Sequence, residues 1–306
     1  MDLIKPNTKI DFVGKMNKAV VFSIVLSLLA IGSLVYHKGP NWGVEFRGGT
    51  EIHIKFANSL STADLTNILD ESGYHPDAVQ RLGFEGDKEY LLRFSPDVVK
   101  FDQIQPFRVE LEKMITQKPE LRGASILRID YIGPNVGKEL VGKAIISILL
   151  GCIGIMIYVM LRFEFVFAVG AVVALVHDTI MTMGAISITN KEFTLTIIAA
   201  LLTIIGFSVH DTIIIFDRIR ENLKKSGGAK GFTQIVNESV NQTLSRTILT
   251  SFTVFLVLMS LYLLGGTVIH DFAFTMIFGV LFGTYSSIFV ASAIVIYWKK
   301  WRGTLT

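Results

Sequence analysis

Six stretches of this chain are apolar for 18 to 27 residues at a time, and no other feature restricts its fold so tightly. A helix or strand that meets water alternates polar with apolar residues, whereas a bilayer core calls for about 20 apolar residues in succession. The stretches are 19–36, 144–161, 165–188, 193–216, 247–264 and 272–298. Four hold no charge; the third holds only His177 and Asp178, and the fourth only His210 and Asp211. Each is long enough to span as a helix, which satisfies its own backbone hydrogen bonds in lipid. Of the 306 residues, 51% are hydrophobic, and the Lys and Arg behind the net charge of +3 flank the runs. That placement fits a membrane protein and argues against nucleic-acid binding.

The short loops give an orientation. Lys5, Lys9, Lys15 and Lys18 precede the first run, Arg162 follows the second, and Arg218, Arg220, Lys224, Lys225 and Lys230 follow the fourth. Lys299, Lys300 and Arg302 follow the sixth, while the alternate loops carry only Lys191. Both termini are therefore expected in the cytoplasm. The first run is too long for a signal-peptide core and lacks a small-residue cleavage site, so it reads as a retained anchor. The expected layout is a cytoplasmic N-terminus (1–18), a first span (19–36), an extracytoplasmic, periplasmic domain (37–143), a bundle of five spans (144–298) with a cytoplasmic loop (217–246), and a cytoplasmic tail (299–306). The single cysteine, Cys152, lies in an apolar run and allows no disulfide within the chain.

The stretch 37–143 has the grammar of a small α+β domain. Thr50 to Phe56 alternates polar and apolar as a strand does, and Ser61-Thr-Ala-Asp64 opens a helix that Gly73 closes. Strands are expected over 79–84, 89–94 and 124–131. Ser95-Pro96 suits the start of a second helix, which Pro106 interrupts or restarts. The order β-α-β-β-α-β is that of a ferredoxin-like unit.

Ionisable residues inside a membrane are costly and are functional candidates by default. Val-His-Asp-Thr-Ile occurs twice, at 176–180 and 209–213, in successive spans of opposite direction. The two His-Asp pairs are thus expected to meet across one interface. Helical spacing groups Gly170, Ala174, His177, Met181 and Gly184 on one face, and Thr203, Gly206, His210 and Asp217 on another. Gly279, Gly283, Ser287 and Ala291 form a packing stripe in the sixth span. Asp211 is the leading candidate for a proton relay and Asp178 the second; each also admits a purely structural reading, as a hydrogen bond to a neighbouring helix. His177 and His210 would orient the carboxylates. Arg246, where the fifth span begins, is either a snorkelling anchor or a cation facing Asp211. His270 and Asp271 read as solvated. No phosphate loop, metal-ligand spacing or nucleophile motif occurs, so neither a cofactor, ATP hydrolysis nor enzymatic activity is expected.

Four segments carry a family resemblance. Asn41-Trp-Gly-Val-Glu-Phe-Arg-Gly-Gly-Thr50 is similar to the Gly-x-Asp-Phe-x-Gly-Gly-Thr signature of the SecD/SecF family, with Glu45 where Asp is usual. Ile132-Gly-Pro-Asn-Val-Gly-Lys-Glu-Leu140 resembles a second element of that family. Residues 204–222 resemble a third, with His210 where Asn is common, and Asn241-Gln-Thr-Leu-Ser-Arg-Thr247 a fourth. The resemblance spans nearly the whole chain. It implies an α-helical membrane protein, half of an RND-like unit, whose six helices pair with those of a separate SecD chain beside the SecYEG channel, with YajC and YidC as further partners. It implies that the pair uses the proton motive force to draw preproteins outward after the SecA stage. It also implies that Asp211 and Arg246 serve the proton path, with Asp178 in second place and Asp217 nearby. Two other readings stand beside it. A small-molecule RND exporter would carry much larger outer domains, and a non-energised assembly subunit would use its buried carboxylates only to hold helices together.

Overall fold

The computed structural model describes residues 8–82, 88–99, 104–118, 121, 123–265 and 267–303. In chain order the elements are α1 (Phe12–Tyr36), α2 (Val44–Arg47), β1 (Gly49–Lys55), α3 (Thr62–Glu71), β2 (Ala78–Leu82), β3 (Glu89–Phe94), α4 (Ile104–Gln117), β4 (Ser125–Ile132), α5 (Pro134–Arg162), α6 (Phe165–Ile188), α7 (Leu195–Ser226), α8 (Phe232–Leu264), α9 (Thr267–Ser286), a π-helical turn (Ser287–Ala291) and α10 (Ser292–Trp301). They form two compact units: Trp42–Ile145, and Met1–Asn41 together with Ile146–Thr306.

The first unit is a four-stranded antiparallel sheet in the order β2-β3-β1-β4. That is the ferredoxin-like arrangement expected from the sequence. Alternation does the sorting: Ile52, Ile54, Tyr90, Leu92 and Phe94 turn inward with Leu65, Leu69, Phe107 and Leu111 of α3 and α4, all at most 4% exposed. The opposite face carries charge. There Lys55 donates to Glu89 at 2.9 Å, which, with His53 adding, holds that carboxyl below the usual range, and Arg93 donates to Glu51 at 3.0 Å. Ser61 caps α3 by accepting from the Asp64 amide at 3.0 Å.

Two expectations for this unit change. Ser95 does not cap a helix; its carbonyl accepts from the Val98 and Val99 amides in a turn that buries the Val99 side chain in the core. The second helix is described from Ile104 and includes Pro106. The strand expected over 79–84 runs from Ala78 to Leu82; Gly83 and Phe84 lie outside the described residues.

Two of the family-like segments meet here. Gly137 lies directly against the Phe46 carbonyl of α2, and Gly49 has φ +130° with its α-carbon against the Phe94 carbonyl. A side chain at position 49 would be strained by its backbone and would strike that carbonyl as well. Gly49→Ala should therefore destabilise this unit by about 2 kcal/mol or more. Limited proteolysis of the full chain checks it, as faster cleavage within 42–145.

Among the described residues six helices are long and apolar enough to cross a membrane, with α9, the π turn and α10 forming one continuous crossing. The helices overrun the expected spans. The first begins at Phe12, seven residues before Ala19, and the second at Pro134, ten before Ala144. The loop expected over 217–246 is instead two helix extensions: α7 runs on to Ser226, Gly227 closes it in the left-handed region, and α8 starts at Phe232. Arg218, Arg220, Glu221, Leu223, Lys224 and Lys225 are good helix formers, so α7 continues past the apolar boundary. Asn237 and Asn241, one turn apart on α8, clasp the start of α1: they accept from the amides of Ile10, Phe12 and Val13 and donate to the Ile10 carbonyl.

α1, α5 and α8 show Leu, Ile, Val and Phe to their surroundings. The core lies between α6, α7 and the α9–α10 crossing. Gly184 packs on Ala30 of α1, and Gly279 on Ile204 of α7. His270 and Asp271 are not merely solvated: Tyr262 stacks on His270 at 4.2 Å, and Lys191 donates to Asp271 at 2.6 Å.

Candidate functional site

The two copies of the repeated pentapeptide have different surroundings. Asp178 on α6 is 1% exposed and fully engaged. Ser208 Oγ of α7 donates to it at 2.5 Å, Ser286 Oγ of α9 at 2.8 Å, and His177 Nδ1 lies at 3.0 Å. A second tier backs these donors. Ser287 Oγ donates to the Gly283 carbonyl at 2.9 Å and pairs with Thr212 Oγ1 at 2.9 Å. The π turn begins at Ser287, so the consecutive Ser286 and Ser287, both fully buried, each reach this network. Gly283 permits the approach, since a side chain there would press on Ser208.

Asp211 on α7 is also 1% exposed, but neither of its oxygens has a hydrogen-bond partner among the described residues. Ser251 of α8 lies close enough to interact with it, yet outside hydrogen-bond geometry, and bonds Thr284 of α9 at 2.6 Å instead. Thr247 of α8, 1% exposed, likewise has an unpartnered hydroxyl. Asp178 and Asp211 are therefore not joined across one interface, because His177 turns into the bundle while His210 turns out of it.

The remaining candidates lie toward one end of the bundle. Asp217 is exposed and accepts from Arg220 at 3.0 Å and Arg162 at 3.4 Å. Arg246 is exposed and forms no ion pair among the described residues; it lines an open cavity of about 430 Å³ between α7 and α8, with Asp217, Arg218, Glu221 and Gln242. Of the two readings of Arg246, an ion pair with Asp211 is not among the contacts of the described residues. Arg246 precedes Ser251 by five residues, about 7.5 Å along α8. Thr203, Gly206, His210 and Asp217 are all exposed, Asp217 meeting Arg162 and Arg220, whereas Gly170, Ala174, His177, Met181 and Gly184 of the α6 face are all buried. No group of acidic, His and Cys side chains suited to a metal ion occurs among the described residues.

Sequence reasoning missed Ser208, Thr212 and Ser286 around Asp178, and read Ser287 as packing alone. Buried Ser and Thr are common in spans and carry no period of their own. The pairing of Ser286 with Ser287 inside the small-residue stripe is the one sequence signal that could have pointed to them.

Two family patterns match the sequence: "Protein export membrane protein SecD/SecF, C-terminal" over residues 112–301, and "SecD/SecF GG Motif" over residues 34–59. The chain belongs to the SecD/SecF family. A protein translocase subunit SecF of Calditerrivibrio nitroreducens is 40% identical over 305 residues, covering 99% of this chain and 98% of that one. Its counterpart in Thermodesulfovibrio yellowstonii is 39% identical over 296 residues, 96% of each chain. Among solved structures, the crystal structure of SecDF from Thermus thermophilus, described as a translocon-associated membrane protein, superposes with a TM-score of 0.86 at 34% identity. The match covers 97% of this chain and 40% of that longer one. SecDF in its super-membrane-facing form matches with a TM-score of 0.72 at the same 34% identity. Within the family the chain thus stands with the SecF subunits, as a multi-pass membrane component of protein transport with a SecD partner.

Proposed function

We propose that this subunit, paired with SecD in the bacterial inner membrane, uses the proton motive force to promote preprotein export through SecYEG after the SecA-driven stage. YajC and YidC complete the set of proposed partners. The observation that carries the energised reading is Asp211: a buried carboxylate with both oxygens unpartnered. An ionised carboxylate in apolar surroundings costs several kcal/mol unless a cation meets it. A proton can meet it, and so can the Arg246 guanidinium if α8 shifts. Alternation between these two gives the bundle two arrangements for one ion step. One charge crossing the potential is worth about 2.3 kcal/mol per 100 mV, enough to bias such an equilibrium. The test is gradient-dependent export with Asp211→Asn.

Two features support the partner and the orientation. The exposed stripe Thr203, Gly206, His210 is polar where a lipid-facing helix would be apolar, which suits a second bundle. Arg162, Arg220 and the Asn237–Asn241 clasp on the N-terminal segment gather at one end, and Lys299 approaches Phe232 there at 4.5 Å. A basic end of this kind belongs on the cytoplasmic side. A reporter inserted after Gly227 should accordingly behave as cytoplasmic, and one at the exposed His75 as periplasmic. The reverse pattern at either site would overturn the orientation. The non-energised reading has support only at Asp178, whose carboxylate is already saturated by donors.

A further inference from the structure

We propose that Thr247 and Ser251 are positioning residues that bring the exchangeable cation from the open cavity at Arg246 to Asp211. The proposal rests on the reading of Asp211 as the exchanging carboxylate, and adds the route by which the group is served.

α8 supplies its own internal comparison. In an apolar helix a Ser or Thr hydroxyl normally bonds back to the carbonyl one turn earlier. Ser239 does so to Ile235 at 2.7 Å, Thr243 to Ser239 at 3.1 Å, Thr250 to Arg246 at 2.9 Å, Thr253 to Leu249 at 2.8 Å and Ser260 to Leu256 at 3.0 Å. Thr247 forgoes that bond although it is 1% exposed, and its hydroxyl has no partner among the described residues. Ser251 bonds across to Thr284 of α9 instead. Thr233 and Ser245 also lack that bond, but they are not fully buried; Thr247 is the buried hydroxyl on α8 that lacks it without a partner among the described residues, and Ser251, which turns to α9, adjoins Asp211.

Their order along the helix makes a path. Thr243, Thr247 and Ser251 recur every four residues and so share one face of α8. Thr243 lines the cavity, together with Ile214 and Arg246. Ser251 interacts with Asp211. Thr247 lies between them, one turn from each, so three hydroxyls descend from open space to the buried carboxylate. A hydroxyl can accept a proton on a lone pair while passing on its own, and ends unchanged. The same oxygen can also ligate a bare monovalent cation; the two ions share this donor chemistry, and the choice of gradient separates them.

A structural role predicts the opposite response to substitution. The Thr247 hydroxyl has no partner to lose, so replacement by the isosteric Val should leave the bundle as stable as before, or more so. The experiment uses membrane vesicles containing the complete SecD-paired complex, energised in one arm by a proton gradient and in the other by a sodium gradient. Complex yield and preprotein export are both measured. Thr247→Val and Ser251→Ala should assemble normally yet export about tenfold more slowly in whichever arm drives the unmodified complex, the worth of one hydrogen bond to a charged group. Thr247→Ser should restore the rate, and Thr253→Val, on the exposed face, should not change it. Full export by both Thr247→Val and Ser251→Ala, with Asp211→Asn inactive, would refute the route while leaving the role of Asp211 intact. Full export by Asp211→Asn would remove that role, and the route with it.

Discussion

Asp178→Ala should weaken the bundle by about 2–4 kcal/mol and reduce recovery of the complex with its SecD partner. Three donors converge on this carboxylate from three helices: His177 of α6, Ser208 of α7 and Ser286 of α9. Hydrogen bonds between helices in membranes average about 0.6 kcal/mol and reach about 1.7. The two that cross between helices, from Ser208 and Ser286, with the His177 contact and a small cavity added, give the stated range. The damage should spread, because Ser208 and Ser286 adjoin the network of Thr212 and Ser287 at the π turn. Asp178→Asn keeps the shape and one acceptor, so it should lose less, about 1 kcal/mol. Thermal unfolding of the detergent-solubilised complex measures both. An unchanged midpoint for Asp178→Ala would mean that the network does not hold these helices.

Asp211→Asn should give the reverse pattern: full assembly, and loss of gradient-dependent export. No partner of the carboxylate is lost among the described residues, so stability should change by less than about 0.5 kcal/mol. The amide has the shape of the carboxylic acid but cannot ionise, so the site is locked in one charge state. Without the alternation the gradient has nothing to act on at this position, and export should fall to the level seen without a gradient. Arg246→Met should also abolish the stimulation while leaving SecD association intact, because Arg246 is exposed and holds no ion pair here. If Asp211→Asn vesicles export at the full gradient-dependent rate, the relay reading is wrong. If the variant fails to assemble, Asp211 is a structural residue of this chain's own bundle. The contrast between the two aspartates is the sharpest test, because the sequence presents them in the same pentapeptide.

The sequence by itself determined the number of crossings, the basic pattern at their ends, the identity of the buried ionisable residues and the ferredoxin-like order of the small unit. Each is local. Lipid demands an uninterrupted apolar run, and a half-buried sheet demands alternation, so both are visible within a window of a few residues. The same lipid hides everything else. A helix in a bilayer is apolar on its packed and its exposed faces alike, so the sequence does not reveal how it is rotated. Rotation decided that Thr203, Gly206 and His210 face outward and that His177 faces in. It also decided which aspartate found donors: Ser208 and Ser286 lie 30 and 108 residues from Asp178, and only the crossing of α6, α7 and α9 brings them to it. The helical extensions beyond 217 and before 246 were hidden for a related reason, since charged residues end a membrane run without ending a helix. What only the tertiary structure decided is thus where each polar group points. In a chain surrounded by lipid on one side and apolar neighbours on the other, contact alone settles that.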